Sequence, residues 1–317
     1  MLFAAYRLGR SIINSQESKY WVVSGQDPFE TSLVSRAIAK QGNSVSHVQV
    51  HGDVFNPLSY KTSLFQRLRA IYGRYVVSHT KSIRVVSNRI KISLQSLGVS
   101  PDTITVLPIQ TDLEPFVSIV KTRTYKGSAL PSFLYVGRFS SEKNVSLLIK
   151  AFKIASKGFP EARLTLLGSG YLKKKLQNQV SDLNLETRVI FQDWTDSVAN
   201  VMQAHDVLCL SSDHEGWAMV ILEAAAAGMP IVTTDVGCAG EVVVDGENGR
   251  VVSVGVLDDY VEALKQYLHK PEMVKVHGTA SFELAKTHSV SRPEYLRILM
   301  ESYTNSNKNP DILTGND

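Results

Sequence analysis

Four stretches of this 317-residue chain carry residue types suited to an anionic, hydroxyl-rich ligand. The first is GRFSSEK at 137–143. Gly137 permits a tight turn, Arg138 offers a planar fork for phosphate oxygens, and Lys143 offers a point charge. Together the two cations suit a departing diphosphate; on the loop alone, a plain turn with two solvated cations fits as well. The second is Gly168, Ser169 and Gly170, where glycine allows close backbone approach to a ligand or simply forms a loop. The third is Asp193 and Trp194, where the ring can pack near a nucleoside or lie in the core.

The fourth stretch is DHEGWAMVILE at 213–223, running into Ala224, Gly228 and Pro230. A helix is expected from near Trp217 to Gly228. The amides around Gly216, Met219 and Val220 then open that helix, where first-turn N–H groups lack partners and favour an anion. Glu215 and Glu223 are eight residues apart, about 12 Å if both lie on one helix. That separation resembles the span between the sugar and the ribose of a nucleotide sugar. Ionised carboxylates are pure acceptors, suited to hydroxyl pairs. The alternatives are a capping Glu215 and a solvated Glu223. Yet Glu223 sits inside ILEAAAAG, an otherwise apolar run, and a carboxylate there is expected to have a partner.

These loops need strands to hold them. Strands are expected at 133–136, 164–167, 189–191, 207–210, 231–233 and 250–252, with helices between and after them at 257–269, 272–287 and 293–303. Most are continuous apolar runs, as a sheet covered on both faces requires. Upstream, strands are expected at 20–24, 45–50, 82–87 and 103–107. They alternate with helices at 31–40, 63–74 and 89–97, again a parallel α/β pattern. The opening MLFAAYRLGRSIINSQ has the pattern of an amphipathic helix rather than a signal peptide. Residues 113–131 are polar, carry Pro115, Gly127 and Pro131, and are assigned as a linker. The domains are therefore expected at 1–112 and 132–290, followed by a C-terminal helix and frayed tail at 291–317.

Composition narrows the function. Apolar residues are 44% of the chain, and 34 Lys+Arg against 30 Asp+Glu give a net charge of +4. That mild excess fits phosphates or anionic lipid surfaces and permits peripheral membrane contact. It is too weak for nucleic acid, and no basic stripe is interleaved with aromatics. The two cysteines, Cys209 and Cys238, lack CxxC spacing, which argues against a disulfide framework or zinc site and for a reducing, cytoplasmic setting. No run of about 18 apolar residues spans a membrane.

EGWAMVILEAAAAGMPIV resembles the E-x7-E signature of the GT4-type (group 1) retaining glycosyltransferases. VGRFSSEKN resembles the Gly-Arg…Lys loop of that family, and TDVGCAGEVVVDGENGRVV the segment after its E-x7-E helix. VVSNRIKISLQSLGVSPDTITVLPIQTDLEPF resembles the end of its first domain, so the likeness runs from about Tyr20 to Lys270. The resemblance implies an α/β GT-B fold of two Rossmann-like domains facing a cleft, retention of anomeric configuration, and no cofactor or essential metal. It implies that Arg138 and Lys143 grip the diphosphate, Glu215 contacts the donor sugar, Glu223 takes the ribose hydroxyls, and the Met219 and Val220 amides meet phosphate. His51, in VQVHGDVF, matches a histidine near the donor sugar, with Asp53 beside it; a satisfied loop histidine is the other reading. The partners implied are a nucleotide-diphosphate sugar and a glycan or lipid-linked acceptor.

Two features depart from the family pattern. Before Gly25 the chain carries Gly9 as its sole glycine, where the family has a glycine-rich loop facing donor and acceptor. The first domain is therefore expected to be truncated, which keeps a non-catalytic nucleotide-sugar-binding protein as the alternative function. LPIQTD stands where an Asn-Gly turn is commoner.

Overall fold

The computed structural model describes residues 2–15, 21–40, 44–55, 64–125 and 130–304. The tail expected to fray, from Asn305, lies outside the described residues. The chain divides into two units, Met1–Gln110 with Val290–Asp317, and Thr111–Ser289.

The second unit is a six-stranded parallel sheet. Its strands are β5 (Ser132–Val136), β6 (Arg163–Leu167), β7 (Val189–Gln192), β8 (Val207–Leu210), β9 (Ile231–Thr234) and β10 (Gly249–Val252), in the spatial order β10-β9-β8-β5-β6-β7. β8 and β9 are wholly buried, and β5 nearly so, which accounts for the apolar runs of β8 and β5. On one face α6 (Val145–Ala155) packs with α10 (Leu257–His269) and α7 (Lys173–Asp182); on the other, α9 (Met219–Ala226) packs with α11 (Met273–His288) and α5 (Glu114–Val120). The core is rich in rings, with Phe133, Tyr135, Phe139, Phe152, Tyr260 and Tyr267 buried together. The alanines of α9 are there for proximity. A Cβ added at Gly278 of α11 would lie 2.3 Å from the Gly228 carbonyl oxygen at the end of α9.

The order also places the site. β5 pairs with β6 on one side and β8 on the other, while β8 continues to β9. The connections after β5 and β8 therefore leave in opposite directions. Such a switch point, at the carboxyl ends of the two strands, is where ligands of parallel sheets bind.

The expected linker at 113–131 is corrected by the structure. Part of it is α5, and the segment belongs to the second unit. Pro115 stands in the first turn of α5, where the missing N–H costs nothing. Beyond it, Arg123 donates to the carbonyls of Ala227 (2.9 Å), His205 (2.9 Å) and Met202 (2.8 Å). One guanidinium thus caps the carboxyl ends of α8 (Val198–Gln203) and α9, whose last carbonyls have no helical partner.

In the first unit, β1 (Trp21–Gly25), β2 (Ser44–Val50), β3 (Ile83–Val85) and β4 (Ile104–Val106) form a parallel sheet in sequential order. The helices are α1 (Leu2–Ser15), α2 (Glu30–Ala39), α3 (Leu64–Ser78), α4 (Asn88–Ser96) and α12 (Arg292–Thr304). Val48, Val50, Ile83 and Val85 are fully buried. The alternate residues His47, Gln49, Ser82 and Arg84 are polar and also buried. α12 satisfies them. Arg84 donates to Tyr295 Oη (2.8 Å), Gln49 Oε1 (2.7 Å) and the carbonyls of Leu107 and Pro108 (both 3.0 Å). Ser82 donates to the Ser302 carbonyl, and Tyr303 packs edge-on against His47. A buried polar layer without partners is costly, so it fixes where the C-terminal helix must sit.

Arg123→Met removes one donor from three helix-terminal carbonyls. The variant is expected to lose about 3 kcal/mol or more of stability, given 1.5–3 kcal/mol for a hydrogen bond to a charged group. Urea unfolding followed by fluorescence measures it; an unchanged midpoint would mean that those carbonyls are satisfied some other way.

Candidate functional site

The sequence-predicted loops of the second unit meet at the carboxyl ends of β5, β6 and β8. The loop after β5 begins at Gly137 and ends in a 3-10 turn, Ser141–Lys143, followed by Asn144 in the left-handed region (φ 44°). Asn144 tolerates that conformation better than most residues, and it caps the start of α6. Its Nδ2 donates to Asp213 Oδ1 (2.8 Å), the Asp213 amide donates to the Glu142 carbonyl (2.8 Å), and Ser211 Oγ donates to the Lys143 and Asn144 carbonyls (3.0 Å each). The loops after β5 and β8 are stitched across the switch point.

The ion pair between Lys143 Nζ and Glu215 Oε1 is the charged centre of this seam. Their side chains are 17% and 11% exposed, and Ser212 Oγ also donates to Glu215 Oε1 at 2.7 Å. Ser212 is itself fixed by Thr234 Oγ1, which donates to its carbonyl at 2.6 Å. Gly237 lies behind Glu215: its φ is +58°, and a Cβ there would stand 2.9 Å from the Glu215 Cβ. Ser212, Thr234 and Gly237 therefore position Glu215. Their only sequence signal is that Thr234 and Gly237 fall in the TDVG segment.

Arg138 is different. Its side chain is largely exposed, and among the described residues its ion-pair partner is Glu142 at 3.3 Å. Burial raises the Glu142 carboxyl, but hydrogen bonds led by Ser140 Oγ (2.5 Å), with Arg138 and Lys143 nearby, hold it below its usual range. Arg138 is free to swing onto an anion.

Three expectations change. Gly168 and Gly170 have packing reasons to be glycine. A Cβ at Gly168 would come within 1.9 Å of the Gly137 carbonyl oxygen, and one at Gly170 within 2.4 Å of the Phe139 carbonyl oxygen. The Phe139 amide donates to the Ser169 carbonyl (2.8 Å), so the two loops are laced together by backbone. Trp194 is 56% exposed rather than core, just beyond edge strand β7 and beside Asp193, which pairs with Lys173. Finally, α9 starts at Met219, not Trp217, and Glu215 lies in the loop before it. The helical rise therefore does not set the Glu215–Glu223 distance.

The start of α9 is unusual. Its N-cap is Ala218, at φ 62° and ψ 73°. An alanine in the left-handed region costs roughly 1–2 kcal/mol, and such strain persists where surrounding structure dictates it. The cap makes no side-chain hydrogen bond. Among the described residues, the Met219 and Val220 amides have no acceptor, as expected of a first turn. Gly216 opens the bend towards Trp217, which is buried with its indole N–H unpaired. Glu223, one turn further along α9, was expected to have a partner. Among the described residues its carboxylate has none, and burial alone pushes its pKa up. A half-buried, unpaired acceptor at this position is available to a ligand donor.

His51 belongs to the first unit, just after β2. Its ring shares a hydrogen bond of 3.2 Å between Nε2 and Gln26 Oε1, and burial, with the Arg84 charge, lowers its pKa. That shift favours the neutral form of the imidazole. Asp53 follows in the same loop. Both cysteines are buried, and among the described residues neither forms a disulfide. Among the described residues no group of three His, Cys, Asp or Glu is arranged to hold a metal ion, and no helix is long and apolar enough to cross a membrane.

The chain is similar to known proteins in both sequence and fold. The model of the family described as "Glycosyl transferases group 1" matches residues 123–282. The chain is 28% identical over 290 residues to the uncharacterized glycosyltransferase MJ1178 of Methanocaldococcus jannaschii, covering 91% of this chain and 76% of that one. It is 27% identical over 261 residues to the UDP-Gal:alpha-D-GlcNAc-diphosphoundecaprenol alpha-1,3-galactosyltransferase of Escherichia coli, covering 78% of this chain and 66% of that one. Among solved structures it resembles Anabaena Alr3699/HepE in complex with UDP and glucose, with a TM-score of 0.74 at 17% identity, over 95% of this chain and 79% of that one. The fold is thus α/β GT-B, two Rossmann-like units with parallel sheets, and the chain belongs to the group 1 glycosyltransferases.

Proposed function

We propose that the protein transfers a sugar, with retention of configuration, from a nucleotide-diphosphate sugar to a glycan or lipid-linked acceptor. The observation that carries this reading is the Lys143–Glu215 pair, held at the switch point of the second sheet beside the unpaired first-turn amides of α9. It offers a cation, a helix N-terminus and a fixed carboxylate in one crevice. A uridine diphosphate hexose is the donor to test first, because the Escherichia coli relative is named for UDP-Gal and the Anabaena structure holds UDP and glucose.

In this mechanism the acceptor oxygen bonds to the anomeric carbon on the face from which the diphosphate departs. The bond from that carbon to the diphosphate oxygen breaks, and the leaving oxygen takes the acceptor proton. Arg138, Lys143 and the Met219 and Val220 amides stabilise the charge that develops on the diphosphate. In this proposal these donors take the place of an essential metal. Glu215, fixed by Lys143 and Ser212, positions the sugar through its hydroxyls. Glu223 takes the ribose hydroxyls, giving its unpaired carboxylate the donors it lacks. His51 enters only through the family resemblance.

Lys143→Met is expected to lower kcat/KM by about 10²–10³, with folding checked by circular dichroism. Transfer should persist in excess EDTA, and NMR of the product should show the donor's anomeric configuration. An inverted product would sink the retaining assignment, and loss of activity in EDTA the metal-free one. Turnover itself separates this reading from a protein that only binds nucleotide sugars.

Glu223 gives a prediction of opposite sign for stability and binding. Its ordinary pKa is 4.5 and burial raises it in the folded state. Its contribution therefore favours folding below about pH 4.5 and is lost as pH rises through the folded value, so at pH 7 the ionised group opposes folding. Glu223→Gln should melt higher than the parent at pH 7 without ligand, with the gap closing towards pH 4. Glu223→Ala should weaken UDP binding by about tenfold or more in calorimetry. Unchanged affinity would remove Glu223 from the site.

A further inference from the structure

A cavity of about 370 Å³ opens at the other end of the first sheet, at the amino end of β2. It is lined by Arg36 and Lys40 from the end of α2, Ser44 and Ser46 from β2, and His79 and Lys81 from the segment after α3. Among the described residues no carboxylate lines it. Part of the lining is held in place. The Arg36 guanidinium lies 5.4 Å over the Tyr75 ring and donates to the Val76 carbonyl (3.2 Å). The His79 ring packs 4.2 Å from Tyr75, and its Nδ1 is 2.9 Å from the Tyr75 carbonyl, leaving Nε2 available.

Basic residues at helix ends often do no more than offset the helix dipole. Here the arithmetic leaves a surplus. Two helix C-termini contribute about half a negative charge each, against the three full charges of Arg36, Lys40 and Lys81.

A second feature runs into this cavity. On α3, Leu64, Leu68, Ile71 and Tyr75 are each more than half exposed. Their spacing of four, three and four residues puts them on one stripe, and His79 lies four residues further along it. Residues 64–78 hold three arginines and no acidic residue. Arg69 is paired with Glu30 at 2.6 Å, while Arg67 and Arg74 are exposed. An apolar stripe flanked by arginines and ending in a cationic cavity has the chemistry of an anionic amphiphile.

We infer that this face docks on a membrane, with α3 lying in the interface and the phosphate of an anionic lipid headgroup seated in the cavity. Charge complementarity favours a lipid over a free phosphate, because a soluble anion would have no use for the exposed leucines. The inference does not depend on the donor site, which lies in the other unit.

Sedimentation of the full chain with vesicles tests it, using phosphatidylcholine alone and phosphatidylcholine with about one third phosphatidylglycerol. The protein should pellet only with the anionic vesicles. Lys40→Gln with Lys81→Gln should weaken that partition by about tenfold or more. Leu68→Gln with Ile71→Gln leaves the charge unchanged and should weaken it by about tenfold. Both variants should keep the parent's melting profile and UDP affinity. Equal pelleting with neutral vesicles, or undiminished binding by either variant, overturns the proposal. So does calorimetric binding of inorganic phosphate in a protein that does not pellet, which would make the cavity a soluble-anion site.

Discussion

The second unit depends on a largely buried ion pair across a gap that its own topology creates. β5 and β8 are neighbours, but their chains run on to β6 and β9, on opposite sides, so nothing in the sheet ladder joins the two loops. Lys143 and Glu215 join them. Taking two charges out of water costs several kcal/mol per ion unless both are well satisfied. Here Ser212 also donates to Glu215, and the backbone around Lys143 is fixed by Ser211 and Asn144. The pair is therefore rigid, and a rigid charge pair in a crevice requires little reorganisation when a charged ligand arrives.

Other features of the unit follow from keeping this seam in place. The glycines at 168, 170 and 237 lie where another residue's backbone or Cβ passes too close for a side chain. Gly237 supports Glu215 from behind, and Gly168 and Gly170 lock the loop after β6 against the one after β5. Ala218 holds a strained conformation at the point where the chain turns from the Glu215 loop into α9. The strain sits between the carboxylate and the helix N-terminus, so the turn that costs energy is the one that brings acceptor and donor groups into the same crevice.

Much of this was legible in the sequence because the strands are short apolar runs closed by glycine, proline or polar residues. β8 falls at the expected residues, and β5, β6 and β9 start or end one residue from them. The α10 boundaries coincide. The misreadings have physical causes. The segment at 113–131 looks like a linker because Pro115 punctuates it, yet proline is well placed in the first turn of α5. What anchors the segment is Arg123, whose partners lie about 80 to 100 residues away and leave no local trace. The start of α9 was misplaced because alanine gives no sign of a left-handed conformation. The glycines at 168 and 170 suggested ligand approach because sequence cannot show that another loop fills the space.

The two units share strand-helix alternation but differ in the feature that makes a ligand site. Among the described strands, the first sheet runs β1 to β4 in sequential order, so successive connections leave in the same sense and no pair of loops diverges. Its buried polar groups face a helix instead: Arg84, Gln49 and Ser82 spend their hydrogen bonds on one another, on backbone and on α12. In the second unit the polar groups face a gap, and Glu223 and the α9 amides remain unspent. The same residue types serve folding in one sheet and binding in the other. Strand order, which is invisible in any single motif, decides which.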